Sequence, residues 1–211
     1  GSILDTNVVS FIWEGNELAY QYSYQLIPRD TTWSDWDTLT AITFLYLDEG
    51  LYTFSVKAKY SNDDIDITPA EVEFEVNDLS GPGLRVFPMY QQVNHEASFS
   101  LDIYSEEINS VALMQFTIVF DDLNLAIDDV IVGDMGNFSN GESIFIYEQL
   151  DDTLHIYLSC GNLSETGMMG SGSLARINWT SVSPGDHNIS IINPLFKDIN
   201  DGEVEVNTII D

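Results

Sequence analysis

The chain has 211 residues, of which 35 are acidic and 6 are basic, so its formal net charge is −29. Six basic residues cannot build a groove that follows nucleic-acid phosphates, and the net charge disfavours contact with an anionic lipid surface. Hydrophobic residues make up 44% of the chain, which is too many for a disordered acidic tail. No run of about 18 apolar residues occurs, so we expect no membrane-spanning helix.

Cysteine and histidine are scarce. The single cysteine, Cys160, excludes an internal disulfide, and the histidines His95, His155 and His187 are too far apart for a metal-binding motif. The chain starts at Gly1 without a methionine or a signal peptide, so we expect it to be a piece of a longer protein. The scarcity of lysine beside abundant Asp, Asn, Ser and Thr is typical of a secreted bacterial surface module.

Alternation of apolar and polar residues dominates the first part of the chain, and no stretch keeps a helical period for long. Tyr20, Tyr22 and Tyr24 share one face of a predicted strand, and three aromatics at this spacing indicate a core-facing row. Such half-buried strands predict stacked antiparallel sheets. The predicted strands are residues 8–13, 18–27, 41–47, 51–60 and 70–76.

Turn-forming residues from Asn77 to Gly83 mark the clearest break in the chain. Pro82 lacks the N–H that a strand would donate. We therefore expect two domains, residues 1–78 and 84–211, joined by a linker at residues 79–83. Both domains are long enough to build a sandwich core.

After this break the strand pattern continues with turn signals between the strands. The predicted strands are residues 84–90, 98–104, 111–120, 126–132, 143–148, 153–160, 173–182, 187–192 and 203–209. Nine short strands predict a larger, jelly-roll-like sandwich. Residues 167–172 are predicted to form a flexible loop. Leu174 and Ala175 cannot both face inward without a β-bulge. The predicted fold class is all-β, with two β-sandwich domains.

The first domain carries a Tyr-x-Tyr-x-Tyr run at residues 20–24, a Trp-Ser-Asp-Trp segment at residues 33–36 and a Leu-Asp-Glu-Gly-Leu-Tyr corner at residues 47–52. These residues resemble the triple-tyrosine type of fibronectin-III-like domain over about residues 8–76. The resemblance implies an immunoglobulin-like sandwich that serves as a spacer and has no chemistry of its own.

The second domain resembles a cohesin domain over about residues 84–208. The resemblance is carried by Gln-Phe-Thr-Ile-Val-Phe-Asp-Asp-Leu at residues 115–123, by Gly-Ser-Leu-Ala-Arg-Ile-Asn-Trp at residues 172–179, and by the acidic hairpin at residues 196–204. It implies a nine-stranded receptor sandwich that binds a dockerin-bearing protein.

Cohesins dock the helices of their partner on one flat sheet, and the resemblance assigns to that sheet the strands at residues 111–120, 153–160 and 173–182. The outward positions of these strands are the candidate partner-binding residues: Leu113, Gln115, Thr117, Val119, His155, Tyr157, Ser159, Arg176 and Asn178. Apolar side chains on a solvent face, beside a tyrosine and a rare basic residue, are typical of an interface core. The alternative is that Leu113 and Val119 are ordinary sheet residues covered by a loop.

Two acidic segments, residues 63–66 and 198–202, contain oxygen ligands of the kind that calcium prefers. The second segment is not an EF-hand loop, because its twelfth position is Ile209 rather than glutamate. We interpret both as solvated turns and predict neither a metal site nor a cofactor in this chain. Calcium in a complex would then belong to the dockerin partner.

Catalysis finds no support, because the chain has neither a Gly-x-Ser-x-Gly elbow nor a catalytic cysteine context. We therefore predict a non-enzymatic scaffold fragment, extracellular or at the cell surface, that takes part in polysaccharide degradation. Two alternatives stay open. One is a carbohydrate-binding module with glycan contact through Trp33 and Trp36, and the other is an inert ectodomain spacer. A glycoside hydrolase ranks last.

Overall fold

The computed structural model describes residues 1–135, 143–160 and 167–208, which form fifteen strands and no helix. The predicted all-β class is confirmed. Across the described ranges there is no helix with the length and hydropathy to cross a membrane. The chain divides into two compact units, Gly1–Asp78 and Leu79–Asp211.

The first unit contains a four-stranded sheet and a two-stranded sheet. Its strands are β1 (Ser2–Leu4), β2 (Val9–Ile12), β3 (Ala19–Ile27), β4 (Ala41–Phe44), β5 (Gly50–Tyr60) and β6 (Ala70–Val76). The strand order in the larger sheet is β1-β6-β5-β3, and β2 pairs with β4. Strand β1 was not predicted, and it pairs in parallel with β6.

The predicted row of core-facing tyrosines on β3 is only partly correct. Tyr22 and Tyr24 pack against the core of the first unit, and the Tyr24 ring lies 6.3 Å from the Phe54 ring. Tyr20 is 42% exposed. The ladder between β3 and β5 shifts register at the start of β3, and this irregularity turns Tyr20 away from the face that the alternation predicts.

The second unit contains nine strands. They are β7 (Gly83–Phe87), β8 (Ser98–Val119), β9 (Leu125–Val132), β10 (Ser143–Leu150), β11 (Thr153–Cys160), β12 (Met168–Ser181), β13 (Ser190–Asp198), β14 (Glu203–Val204) and β15 (Asn207–Thr208). The largest differences from the prediction are in β8, β12, β13 and the last two strands. β8 joins two predicted strands, β12 begins five residues early, β13 spans Ser190–Asp198 instead of residues 187–192, and the predicted strand at residues 203–209 is divided into β14 and β15.

Strand β8 takes part in two separate sets of pairings. Residues 98–108 (β8N) pair with β7 and β12, whereas residues 111–119 (β8C) pair with β11 and β13, except that Val111 also pairs with Met168 of β12. Between the two halves, Glu107 and Ser110 have positive φ angles of 48° and 58°, which bend the strand. One sheet therefore has the order β10-β11-β8C-β13-β14, and the other has the order β9-β12-β8N-β7-β15.

Both sheets bury alternate side chains in the same hydrophobic core. Phe116 and Ile118 come from β8C, Ile103 from β8N, and Ile177 and Trp179 from β12, and all five are fully buried at 0% exposure. Because one cluster receives side chains from both sheets, the sheets face each other across it. The predicted jelly-roll-like sandwich is confirmed.

The β-bulge that two adjacent inward-facing residues require is present in β12. Leu174 and Ala175 are both at 0% exposure, and the ladder between β8 and β12 shifts register between Ser173 and Ala175. The prediction of a loop at residues 167–172 is wrong from Met168 onward, because β12 begins there. Gly170 has a φ of 97°, and the ladder shifts register on both sides of it, so the segment lacks the regular alternation that identifies a strand.

The segment predicted as a linker, residues 79–83, lies within the second unit. Leu79 is buried, with 6% of its surface exposed. Asn207 donates its backbone N–H to the Pro82 carbonyl and its side-chain amide to the Ser80 carbonyl, both at 2.8 Å. These contacts attach the segment to the sandwich that follows it.

A buried ion pair joins β7 to β8N. The Nη2 and Nε atoms of Arg85 lie 2.8 and 3.0 Å from Oε1 of Glu106. Both residues are more than nine-tenths buried. The guanidinium also lies 5.1 Å from the centre of the Phe87 ring and 5.2 Å from that of Tyr104. Loss of either partner would leave the other charge desolvated and uncompensated.

We therefore expect Glu106→Gln to lower the free energy of unfolding of the second unit by about 3 kcal/mol. Scanning calorimetry of the full chain would measure this as a lower melting temperature of that unit. Asp201→Asn is the matched control, because it removes an ion pair with Lys197 in which the Asp201 side chain is 82% exposed. The control should cost less than about 1 kcal/mol. Equal losses in the two variants would contradict the prediction.

Candidate functional site

The outer surface of the sheet β10-β11-β8C-β13 is rich in apolar side chains, and we call it the apolar face. Directly opposite residues of paired strands point to the same side, so the register defines the face. Read from β10 to β13, its four rows are Ile144-Ser159-Leu113-Lys197, Ile146-Tyr157-Gln115-Leu195, Glu148-His155-Thr117-Ile192 and Leu150-Thr153-Val119-Ser190. Half of these positions carry an apolar or aromatic side chain.

Seven of the nine predicted partner-binding residues lie on the apolar face. They are Leu113, Gln115, Thr117, Val119, His155, Tyr157 and Ser159. Gln115 and His155 are exposed, and Leu113, Val119 and Tyr157 are half-buried. The alternation of β8C and β11 therefore places these side chains together on one surface.

Hydrogen bonds hold the polar side chains of this face in place. Oγ1 of Thr117 lies 2.9 Å from Nδ1 of His155, and Thr117 is buried beneath the ring at 7% exposure. The Ser159 hydroxyl donates to the carbonyl of Ala112 at 3.3 Å. The hydrogen bond to Thr117 thus orients the exposed His155 ring on the sheet.

The two outer strands, β10 and β13, carry exposed apolar side chains on this face that were not among the predicted binding residues. On β10, Ile144, Ile146 and Leu150 are 47%, 57% and 52% exposed, and Ile192 on β13 is 41% exposed. Alternation in β10 predicted the strand but not its pairing with β11, and so it did not place these isoleucines beside Tyr157. The tight turn between β10 and β11, at Asp151, was the available signal for that hairpin.

The other two predicted residues, Arg176 and Asn178, do not lie on the apolar face. The prediction that their strand joins the sheet of β8C and β11 is wrong, because β12 pairs with β8N and β9. Arg176 stands opposite Asp102, and Asn178 stands opposite Ser100. Both therefore lie on the outer surface of the other sheet, across the core from the apolar face.

Polar side chains on that other surface hydrogen-bond to one another. Arg176 donates from Nε and Nη2 to the two carboxylate oxygens of Asp102, at 3.0 and 2.9 Å. These hydrogen bonds raise the pKa of the guanidinium above its usual value. The Ser100 hydroxyl donates to the Asn178 carbonyl oxygen at 2.7 Å. Because these groups already satisfy each other, a partner would gain little by replacing their contacts.

The apolar face carries few charges for so acidic a chain. Across its four rows, Glu148 is the one carboxylate and Lys197 the one ammonium. Nζ of Lys197 lies 2.6 Å from Oδ1 of Asp201, and this hydrogen bond raises the lysine pKa. Charge is thus concentrated at the margin of the face, while the centre is apolar or neutral.

The acidic segments considered for calcium are engaged in local contacts. Oδ1 of Asp198 accepts the backbone N–H groups of Asn200 and Gly202, at 2.7 and 2.8 Å. In the first unit, Lys59 pairs with Asp63 at 2.8 Å. Within the ranges that the structure describes, no group of three or more His, Cys, Asp or Glu side chains is arranged to hold a metal ion.

The tryptophans considered for glycan contact are half-buried, and a lysine lies against them. Nζ of Lys57 lies 4.0 Å from the centre of the Trp33 ring and 5.5 Å from that of Trp36. A sugar ring could stack on this side of Trp33 only by displacing the ammonium.

Comparisons with known proteins fit the two units separately. Residues 14–77 match the family profile of the Y_Y_Y domain. A search of curated protein sequences finds no match.

Solved structures similar to the chain include a non-cellulosomal cohesin from the archaeon Archaeoglobus fulgidus, with 16% identity and a TM-score of 0.51 over 60% of this chain and 84% of that one. The sixth cohesin of scaffoldin B from Acetivibrio cellulolyticus, solved in complex with a dockerin, has 17% identity and a TM-score of 0.54 over 62% of this chain and 95% of that one. A type II cohesin domain from the cellulosome of Acetivibrio cellulolyticus has 10% identity and a TM-score of 0.54, over 61% and 91%.

At these identities the similarity establishes the fold of the second unit. The resemblances stated from the sequence are confirmed at that level, for the triple-tyrosine unit and for the cohesin sandwich. The chain therefore joins a unit that matches the Y_Y_Y profile to a unit with the cohesin fold.

Proposed function

We propose that the second unit is a receptor that binds a dockerin-bearing protein through the apolar face. The observation that carries this proposal is the contrast between the two outer surfaces of the sandwich. One surface exposes isoleucine and leucine side chains on two of its strands, whereas the other carries mostly polar groups, several of which bond to each other, with Ile131 and Phe87 as exposed apolar exceptions. An exposed apolar surface with a polar margin is characteristic of a protein-binding site.

The residues of the apolar face divide into two roles. Leu113, Val119 and Tyr157, with Ile144 and Ile146 beside them, would lose their water on binding and supply most of the affinity. Gln115, His155 and Ser159 lie between them and would fix the orientation of the partner through hydrogen bonds. The hydrogen bond between Thr117 and His155 orients the His155 ring before the partner binds, which lowers the entropy cost of binding.

The remaining features extend the proposal to the whole chain. We propose that residues 1–78 form a spacer domain and that residues 84–211 form the binding domain, in a non-catalytic scaffold protein outside the cell. The cohesin structures similar to the second unit include complexes with dockerins, which supports a partner of that kind. Calcium would enter the complex with the dockerin.

A panel of purified dockerin modules tests this proposal directly. Each would be passed over the immobilised full chain in calcium, and again after chelation with EDTA. Saturable binding of at least one dockerin that disappears on chelation is the expected result. If a folded chain binds none of a broad panel of dockerins, the second unit is not a dockerin receptor. The chain would then be interpreted as a carbohydrate-binding module or as an inert spacer.

Leu113→Asp should weaken binding of such a dockerin by about 2 kcal/mol or more, which is roughly a thirtyfold loss of affinity. The aspartate would place a carboxylate on the apolar face that a docked partner would desolvate. Titration calorimetry gives the measurement. Ile131→Asp is the matched control, because Ile131 is 44% exposed and lies opposite Arg176 on the outer surface of the other sheet. If both variants lose affinity equally, the interface is not on the apolar face.

The net charge of −29 predicts how association depends on salt. An acidic receptor attracts a partner whose docking surface is basic, and salt screens that attraction over a Debye length of about 8 Å at physiological ionic strength. The association rate should therefore fall as sodium chloride rises, while the dissociation rate changes less. Surface plasmon resonance across a salt series measures both. An association rate that is independent of salt would contradict electrostatic steering.

A further inference from the structure

We propose that strand β10 is a self-association edge, through which two copies of this chain join their sheets about a two-fold axis. β10 lies at the end of its sheet and pairs only with β11 among the described residues. In an antiparallel sheet, alternate residues of an edge strand direct their N–H and C=O groups to the open side. About half of the backbone groups of β10 are therefore available to another strand.

The edge of β10 lacks the features that usually block pairing. Its register with β11 runs from Ser143 to Leu150 without a bulge, and the strand contains no proline, glycine or lysine. The opposite end of the unit is different, because β9 carries Asp128 and Asp129 and its ladder with β12 is interrupted by a register shift. Natural proteins protect sheet edges with such charges and bulges. Within the part of the chain that the structure describes, β10 is thus a long and regular edge without these protections.

Charge is also depleted on this edge, and this observation favours a second copy as the occupant. β10 contains one acidic residue, Glu148, and β11 contains none. β6, by comparison, carries three glutamates, and acids make up 35 of the 211 residues of the chain. A basic peptide would find a single complementary charge on β10, the Glu148 carboxylate. An identical edge can approach it without like charges placed directly opposite each other.

The symmetry of the pairing fixes the residues that meet. A two-fold axis at Ile146 places this residue opposite its copy, Phe145 opposite Tyr147, and Ile144 opposite Glu148. The side chains in each pair come from the same side of the sheet, and the two Glu148 carboxylates stay apart. Cross-strand aliphatic and aromatic pairs of this kind stabilise antiparallel sheets.

Pairing about this axis keeps the apolar faces of the two copies on the same side. The joined sheet would then run β13-β8C-β11-β10 in one copy and continue in reverse order through the second. If the apolar face binds a dockerin as proposed above, the dimer would present two docking faces side by side. The dimer itself does not depend on that function.

Sedimentation equilibrium of the full chain, over a wide range of concentrations and at low and high salt, tests the proposal. We expect a monomer–dimer equilibrium that strengthens with salt, because two copies of net charge −29 repel each other. This salt dependence is opposite in sign to that expected for a basic dockerin, so failure of one proposal is distinguishable from failure of the other. A chain that stays monomeric at high salt and high concentration would overturn the inference.

Two substitutions locate the contact. Ile146→Lys places two ammonium groups against each other and should raise the dimer dissociation constant roughly tenfold or more. Ile131→Lys, on the edge strand β9, is the matched control and should leave the constant unchanged. Equal effects of the two substitutions would place the contact elsewhere.

A single-cysteine variant tests the register. Ile146→Cys in a Cys160→Ser background should form an intermolecular disulfide on mild oxidation, because opposed residues of an antiparallel pair have Cα atoms about 4.5–5.5 Å apart. Ile131→Cys in the same background should stay monomeric on a non-reducing gel. A dimer that Ile146→Cys does not cross-link would overturn the axis at Ile146.

Discussion

The bend in β8 at residues 107–110 is the constraint on which the second unit depends. A strand has two edges, and β8 uses both edges in each half, so its two halves commit four neighbouring strands to two different sheets. Glu107 and Ser110, at positive φ, hold the bend. The bend therefore decides that β11 and β13 border the apolar face, and that β12 is on the other side of the core.

The two outer surfaces of the sandwich differ in how their side chains are satisfied. On the surface of β12, Arg176 and Asp102 satisfy each other, as do Asn178 and Ser100, so its polar groups need no further partner. On the surface of β11 the free energy available is hydrophobic, because each exposed isoleucine buried by a partner would contribute up to about 1.5–3 kcal/mol. The asymmetry of the sandwich thus separates a closed surface from one that gains by association.

Much of this arrangement follows from the sequence, and the exceptions have physical causes. The alternation of apolar and polar residues correctly predicts which side chains of β8C and β11 point outward. In β12, the adjacent buried residues Leu174 and Ala175 require a bulge, and the ladder contains one. Which strands pair with each other could not be predicted in this way, because the alternation within one strand is the same whichever strand lies beside it. Arg176 was therefore assigned to the correct side of its strand but to the wrong sheet. The prediction for Tyr20 is wrong for a different reason, because a local register shift interrupts the alternation of inward and outward side chains in β3.

The distribution of charge links the apolar face to the edge beside it. A net charge of −29 keeps molecules apart at long range and so protects a protein that exposes isoleucine from indiscriminate association. That protection is absent where acids are absent, and β10 and β11 together carry only Glu148. Two molecules therefore repel each other at long range, and they associate only where a surface with few charges fits closely against its partner. The same hairpin therefore supplies half of the strands of the apolar face and a regular edge from which that face can be extended.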